Sequence, residues 1–303
     1  MIEDSGIFLV NKSEGVTSHD VIHKIKKKFN IKKIGHAGTL DPLATGVMVV
    51  LINQATKISN FLLFNDKCYE IEMNLFSETD SGDITGNVVK SEKFKKITKK
   101  QVKLIMEKYN GYMYDQYPPI YSAIKVKGKK LYEYAREKKD VLIKPKTVTI
   151  ISCLLINFNS KKGIIKFKVW CSKGTYIRSL VKDIAKDLNT IASVSFLRRI
   201  ASGMFNISET KLIDELDKSD LIDMYTGLLK NKQTIVEYHQ VKDIFQGKTI
   251  NLLGTNAPIV FIVDSKKTVI AIYKRVANHL YNCQRGLWDP IIFQNLTEAE
   301  REM

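Results

Sequence analysis

The chain has 303 residues, 44% of them hydrophobic, enough to bury a substantial core, so a folded protein with one large domain and a small one is expected. Its 48 Lys and Arg against 32 Asp and Glu leave a formal charge of +16, a field that attracts polyanions, nucleic acid foremost, and disfavours basic partners. Cys68, Cys153, Cys171 and Cys283 form no C-x-x-C pair, which argues against a zinc knuckle or a disulfide framework and for reduced thiols in a cytoplasm. The acidic start, Met1-Ile2-Glu3-Asp4, is unlike a secretory leader, and the apolar run from Val47 to Ile52 is far short of a membrane span, so a soluble cytoplasmic protein is expected.

In chain order, the first predicted element is a basic amphipathic helix over residues 18–29. Val21, Ile22, Ile25 and Phe29 recur at helical spacing, Ser18 stands at the cap position, and Lys24, Lys26, Lys27 and Lys28 lie mostly on other faces. The run Val47 to Ile52, between Gly46 and Asn53, reads as a buried strand preceded by a glycine-rich loop. Residues 68–75 alternate, with Tyr69, Ile71, Met73 and Leu75 on the packed side, as in a half-buried strand. Thr98 and Gln101 form a capping-box pair ahead of Val102, Ile105, Met106 and Tyr109, which predicts a second helix.

Ile165, Phe167, Val169 and Cys171 alternate, Ser172-Lys173-Gly174 turns the chain, and Ile177, Leu180, Val181, Ile184, Ala185 and Leu188 then repeat helically. Near the end, residues 259–263 and 268–273 flank the turn Asp264-Ser265-Lys266-Lys267 and read as a hairpin inside a small β-rich unit over residues 236–295. Residues 1–235 then form the main domain, and the charged tail 296–303 is expected to fray. Strands and helices intermix without a βαβ repeat, so the expected fold is α+β, with a mixed, largely antiparallel sheet.

The most informative stretch is Gly35-His36-Ala37-Gly38-Thr39-Leu40-Asp41-Pro42-Leu43-Ala44-Thr45-Gly46. Three glycines and a proline surround one carboxylate just before a buried strand. Pro42 pushes Asp41 toward an extended conformation, and Gly38 and Gly46 permit turns and close backbone approach, so Asp41 is presented from a constrained loop.

This dozen resembles the signature of the tRNA pseudouridine-55 synthase family of the stand-alone bacterial type. The similarity continues through Lys67-Cys68-Tyr69, Thr79-Asp80 with Asp83 and Gly86, Pro118 to Lys125, Gly128 to Arg136, Cys171 to Arg178 and Phe196-Leu197-Arg198-Arg199, collinear over most of residues 6–205. The resemblance implies Asp41 as nucleophile, Tyr69 as the pocket tyrosine and Arg178 as the aspartate's partner. It further implies His36, Tyr176 and Leu197, with Lys12, as substrate-binding positions, and a C-terminal part similar to the small PUA-like domain used against tRNA. Ser13 departs from the Lys-Pro usual after the first strand, which bears on the entry turn.

The residue types suit that chemistry. Moving a uracil from its N-glycosidic bond to a carbon–carbon bond at the same sugar carbon needs a group that adds and then leaves, as an ionised carboxylate does, whether at the sugar or at the base. C5 must lose a proton, and Tyr69 offers a route. Arg178 lies in the first turn of its predicted helix, where the dipole disfavours a cation, so an anion nearby is expected; a two-pronged pair with Asp41 would keep that carboxylate ionised and aimed. The base must be flipped out, and His36 on the Asp41 loop can stack or wedge. Lysines around 26–33, 93–103 and 125–139, with Tyr132 and Tyr134 among them, suit an RNA groove.

No phosphate-binding loop, metal-ligand cluster or dinucleotide fingerprint occurs, so no cofactor is expected. The partner expected is tRNA, with the enzyme a monomer needing no obligatory protein partner and no membrane. Two other readings stand beside it: a guide-dependent synthase acting on ribosomal RNA, and a tRNA-binding folding helper without catalysis.

Overall fold

The computed structural model describes residues 2–63, 66–122, 124–137, 139 and 141–288, apart from the side chains of Tyr132 and Arg136. The expected tail, 296–303, and the last seven residues of the expected C-terminal unit lie outside them. Strand β1 (Gly6–Lys12) leads to helix α1 (Ser18–Phe29); β2 (Ile34–His36) and β3 (Thr45–Ile52) flank the glycine-rich loop; α2 (Ser59–Leu63) precedes β4 (Lys67–Leu75). A ribbon of β5 (Ser77–Thr79) and β6 (Val88–Ser91) is followed by α3 (Lys99–Lys108), β7 (Tyr112–Gln116), the short hairpin β8 (Lys125–Val126) and β9 (Lys129–Lys130), and α4 (Leu131–Arg136). Then come β10 (Lys146–Asn159), β11 (Ile164–Cys171), α5 (Ile177–Asp187), β12 (Ala192–Ser202), β13 (Phe205–Asn206), β14 (Ile222–Asp223) and α6 (Met224–Lys230). The C-terminal part holds β15 (Ile235–Glu237), α7 (Val241–Phe245), β16 (Ile250–Asn251), β17 (Ile259–Val263), β18 (Val269–Ala277) and β19 (Leu280–Gly286).

The main sheet has ten strands, in the order β14-β1-β3-β12-β4-β11-β10-β7, with β2 on β3 and β13 on β12. Its pairings are antiparallel except β3 with β12, which run parallel at Thr45–Arg198 and Gly46–Arg199. That seam joins the two halves of the sheet, and the Asp41 loop feeds directly into it. The α+β fold with a mixed, largely antiparallel sheet is as expected.

The unbroken apolar run in β3 is explained by cover on both faces. Val47, Val49 and Leu51 pack with Ile7 and Leu9 toward the C-terminal sheet, through Phe261, Val263, Val269, Ile272 and Leu287. Met48, Val50 and Ile52 pack with Phe8 and Val10 under Val21, Ile25 and Phe29 of α1. At the other half of the sheet, Tyr69, Ile71 and Met73 of β4 share a core with Val102 and Met106 of α3 and Leu180, Val181 and Ile184 of α5. The hairpin expected near the end is present as β17–β18, within a five-stranded sheet ordered β15-β17-β18-β19-β16.

Helix α1 has its expected span, but its cap is Thr17, not Ser18. The Thr17 hydroxyl accepts from the Asp20 N–H and the Asp20 carboxylate reaches back to the Thr17 N–H, a complete capping box. Ser18 is buried and bonds across to the glycine-rich loop, where its Oγ donates to the Leu40 carbonyl (3.0 Å) and accepts from the Leu40 N–H (2.9 Å). One residue of slip at the helix start thus frees a hydroxyl to hold the loop beside Asp41.

Candidate active site

Residues 37–44 form the loop between β2 and β3, and their backbone is fastened at several points. The Ala37 N–H bonds the Val49 carbonyl (2.9 Å), the Ala44 N–H closes a turn on the Asp41 carbonyl (3.0 Å), and Ser18 holds Leu40 from both sides. Gly46, at φ +100°, is a position only glycine can fill, because a Cβ there would lie 2.2 Å from the Arg199 carbonyl oxygen across the parallel seam. The loop therefore leaves the strand pinned against β12.

Asp41 emerges from this frame and meets Arg178 in a fork-to-carboxylate pair, with Nε to Oδ2 at 2.9 Å and Nη2 to Oδ1 at 3.2 Å. Arg178, in the first turn of α5, is only 7% exposed. Two further donors go to backbone carbonyls, Nη1 to Ser81 (2.8 Å) and Nη2 to Tyr121 (2.9 Å), which fixes the orientation of the guanidinium. The helix that presents it begins at Tyr176, whose N–H bonds the Gln116 side chain (2.7 Å) at the end of β7.

Protein crowds Asp41 on most sides, yet 37% of its side-chain surface stays open. Burial pushes its carboxyl above the ordinary value; Arg178 and Lys12 oppose that, and the nearby Asp83 carboxylate adds to it. The expected pair is present, but it does not by itself outweigh desolvation. The open edge is where a substrate can approach.

Tyr69, on β4, is buried on the same side of the sheet as Asp41, with Arg199, Cys171 and Asp41 as its charged or ionisable neighbours. Burial raises the pKa of its hydroxyl, and Arg199 opposes the rise. Leu197, on β12, is buried in the same core cluster with Leu40, Leu43 and Tyr69. Tyr176 is half-buried, close enough to Asp41 and Arg178 for both charges to act on its hydroxyl. His36 lies opposite Val50 in the β2–β3 pair, half-buried, with Nδ1 enclosed and without a hydrogen-bond partner; burial lowers its basicity, helped by Arg199.

Lys12, expected among the substrate-binding residues, is held by backbone carbonyls next to the Asp41 loop. It is fully buried, and its Nζ donates to the carbonyls of Val16 (2.7 Å), Ser13 (2.9 Å) and Pro42 (3.2 Å). The entry turn thus closes on Ser13 without a proline, and the Gly15 N–H adds a bond to the Pro42 carbonyl (2.9 Å). Burial brings the Lys12 ammonium down to about 8, with the Asp41 charge as the main opposing influence.

Two residues to which sequence reading gave no role belong to this frame. Asp83 is buried and held by Ser81 Oγ (3.0 Å), the Thr85 N–H (3.0 Å) and Thr85 Oγ1 (2.5 Å), so its charge beside Asp41 is fixed. Arg199 is 1% exposed and reaches under the loop. The available signal was alternation: Leu197 and Arg199 share a face of β12, and a cation at an inward strand position needs partners.

Comparison with known proteins follows the same lines. A family model described as TruB family pseudouridylate synthase, N terminal domain, matches residues 26–177. The tRNA pseudouridine synthase B of Mycoplasma capricolum is 45% identical over 285 residues, covering 94% of this chain and 98% of that one. The protein of the same name from Bacillus cereus is 36% identical, covering 90% and 94%. Among solved structures, a Cbf5-Nop10-Gar1 complex superposes with a TM-score of 0.70 at 22% identity, covering 93% of this chain and 85% of that one, which is a likeness of fold. With a family model matched over half of its length and relatives up to 45% identical over most of it, the chain belongs to the TruB family of pseudouridylate synthases.

Proposed function

We propose that this chain isomerises the T-loop uridine of tRNA, at position 55, to pseudouridine, with Asp41 as the nucleophile and Arg178 and Tyr69 as its catalytic partners. The observation that carries the reading is the two-pronged Arg178–Asp41 pair, held on a fastened loop with the Asp41 carboxylate partly open to solvent and the buried Tyr69 near enough to feel its charge. Relatives up to 45% identical over nearly their whole length bear the name tRNA pseudouridine synthase B, which supports tRNA as the substrate. In the reaction the carboxylate adds and later leaves, the bond from N1 to the sugar carbon breaks, and the bond from C5 to the same carbon forms. C5 gives up its proton, for which the Tyr69 hydroxyl is the acceptor or relay, and N1 ends with one. The target nucleotide must leave its stack to reach Asp41; Tyr176 and Leu197 then bracket the base and His36 fills the gap.

The chemistry needs no cofactor, and the enzyme acts as a monomer without a protein partner, in the cytoplasm. No helix among the described residues is long and apolar enough to cross a membrane. Residues 236–295 serve as a small PUA-like RNA-binding unit appended to a catalytic domain of residues 1–235. A guide-dependent reading rests on structural neighbours solved in complexes, at 22% identity or less, and is the weaker one.

Purified protein incubated with unmodified tRNA transcript alone tests the proposal. Pseudouridine formed at the T-loop uridine without guide RNA or added protein is the expected result. Binding without isomerisation supports the folding-helper reading instead, and isomerisation only with a guide supports the other.

A further inference from the structure

Arg199 is a large charged side chain held at 1% exposure, and its donors converge on one target. Nε donates to the Val47 carbonyl (2.7 Å), Nη1 to Thr39 (3.3 Å) and Nη2 to Gly38 (3.1 Å). These carbonyls belong to the loop that presents Asp41 and to the strand that follows it. Along the sheet, Arg199 lies opposite Tyr69 in the β12–β4 register, and its charge is near enough to act on the Tyr69 hydroxyl. Its backbone is the parallel partner of Gly46, where the loop rejoins the sheet.

Burying a guanidinium is costly, and a well-packed apolar side chain of similar volume often serves stability as well or better. What an apolar residue cannot do is grip two adjacent loop carbonyls and a strand carbonyl while setting a charge near a phenol; nor does lysine offer the planar fork. We propose that Arg199 is a positioning residue: it locks the Gly38–Thr39 backbone and the Tyr69 hydroxyl into one rigid unit and so fixes the separation between nucleophile and proton acceptor. This rests on the reading of Asp41 and Tyr69 given above.

The test compares Arg199→Gln and Arg199→Lys enzymes with the unmutated one on tRNA transcript, alone and in a Tyr69→Phe background, with thermal unfolding as the check on folding. The expected result is a fall in kcat of about 100-fold for Gln and at least about tenfold for Lys, with KM within about threefold, since misplacement costs the chemical step more than binding. In the Tyr69→Phe background the loss from Arg199→Gln should shrink by about tenfold, because residues acting as a unit are not additive. If Arg199→Gln does not fold, Arg199→Lys decides. A folded variant with unchanged kcat, or strictly additive losses, overturns the proposal. Asp41→Asn is assayed alongside: if it is active the reaction assignment itself falls, whereas an inactive Asp41→Asn beside a normal Arg199 variant defeats only the positioning role.

Discussion

At the scale of single residues, the site turns on a contest between burial and charge. Burial raises the Asp41 pKa and Arg178 lowers it, so weakening the pair should raise it further. Activity needs the ionised carboxylate and therefore rises as pH climbs through its pKa. For Arg178→Lys, which lacks the fork, the acid limb of the rate profile is expected to move to higher pH, with kcat down by about 100-fold or more; an unmoved limb would contradict the electrostatic role. Lys12 titrates near 8 in the folded chain, against 10.5 ordinarily. The unfolded chain holds that proton more tightly, so Lys12 opposes folding in full below about pH 8, and the opposition fades as pH rises toward the ordinary value. Relative to Lys12→Met, the unmutated protein should gain stability between about pH 7.5 and 10, read from denaturation midpoints; a difference flat across that range would count against it. The Arg178–Asp41 pair was foreshadowed by a cation in the first turn of its helix, whereas Tyr69 was singled out by resemblance alone, since a tyrosine on a strand is more often a packing residue. The burial of Lys12 was not legible, because nothing in the letters tells whether an ammonium will find solvent, a phosphate or three carbonyls.

At the scale of elements, the spans of α1, β4, α3 and α5 followed from periodicity and capping pairs, since each buries one face against the sheet. The choice between Thr17 and Ser18 as cap was not legible, because both can cap and only the approach of Leu40 separates them. Ser18→Ala would leave the buried Leu40 N–H and carbonyl without that partner, an expected loss of about 1–3 kcal/mol, with kcat lowered as the loop loosens. Gly46→Ala sets a Cβ 2.2 Å from a backbone oxygen that cannot swing aside. It should cost more than about 3 kcal/mol or prevent folding. A folded Gly46→Ala protein of ordinary stability would show that the parallel seam is looser than these contacts imply. The seam itself was illegible: no local pattern records which of several apolar strands Thr45 and Gly46 will meet, some 150 residues later in the chain.

At the scale of the whole molecule, the intermixed elements were enough for the fold class, whereas the basic composition only suggested a polyanionic partner, which the motifs then specified. The way the C-terminal sheet joins the rest was hidden in the double-sided burial of β3, whose run Val47 to Ile52 serves two cores at once. The +16 charge implies that tRNA affinity falls steeply with salt. With about six or more phosphates contacted, raising salt from about 50 to 200 mM should weaken binding about 1,000-fold or more; affinity indifferent to salt would refute an electrostatic grip.

The central claim is that one carboxylate, steered by one guanidinium, carries the isomerisation. Mapping pseudouridine in tRNA after incubation with the unmutated protein and with folded Asp41→Asn tests it most directly. T-loop pseudouridine is expected from the former and none from the latter, with tRNA binding retained by both. Isomerised uridine produced by Asp41→Asn at a comparable rate would contradict it.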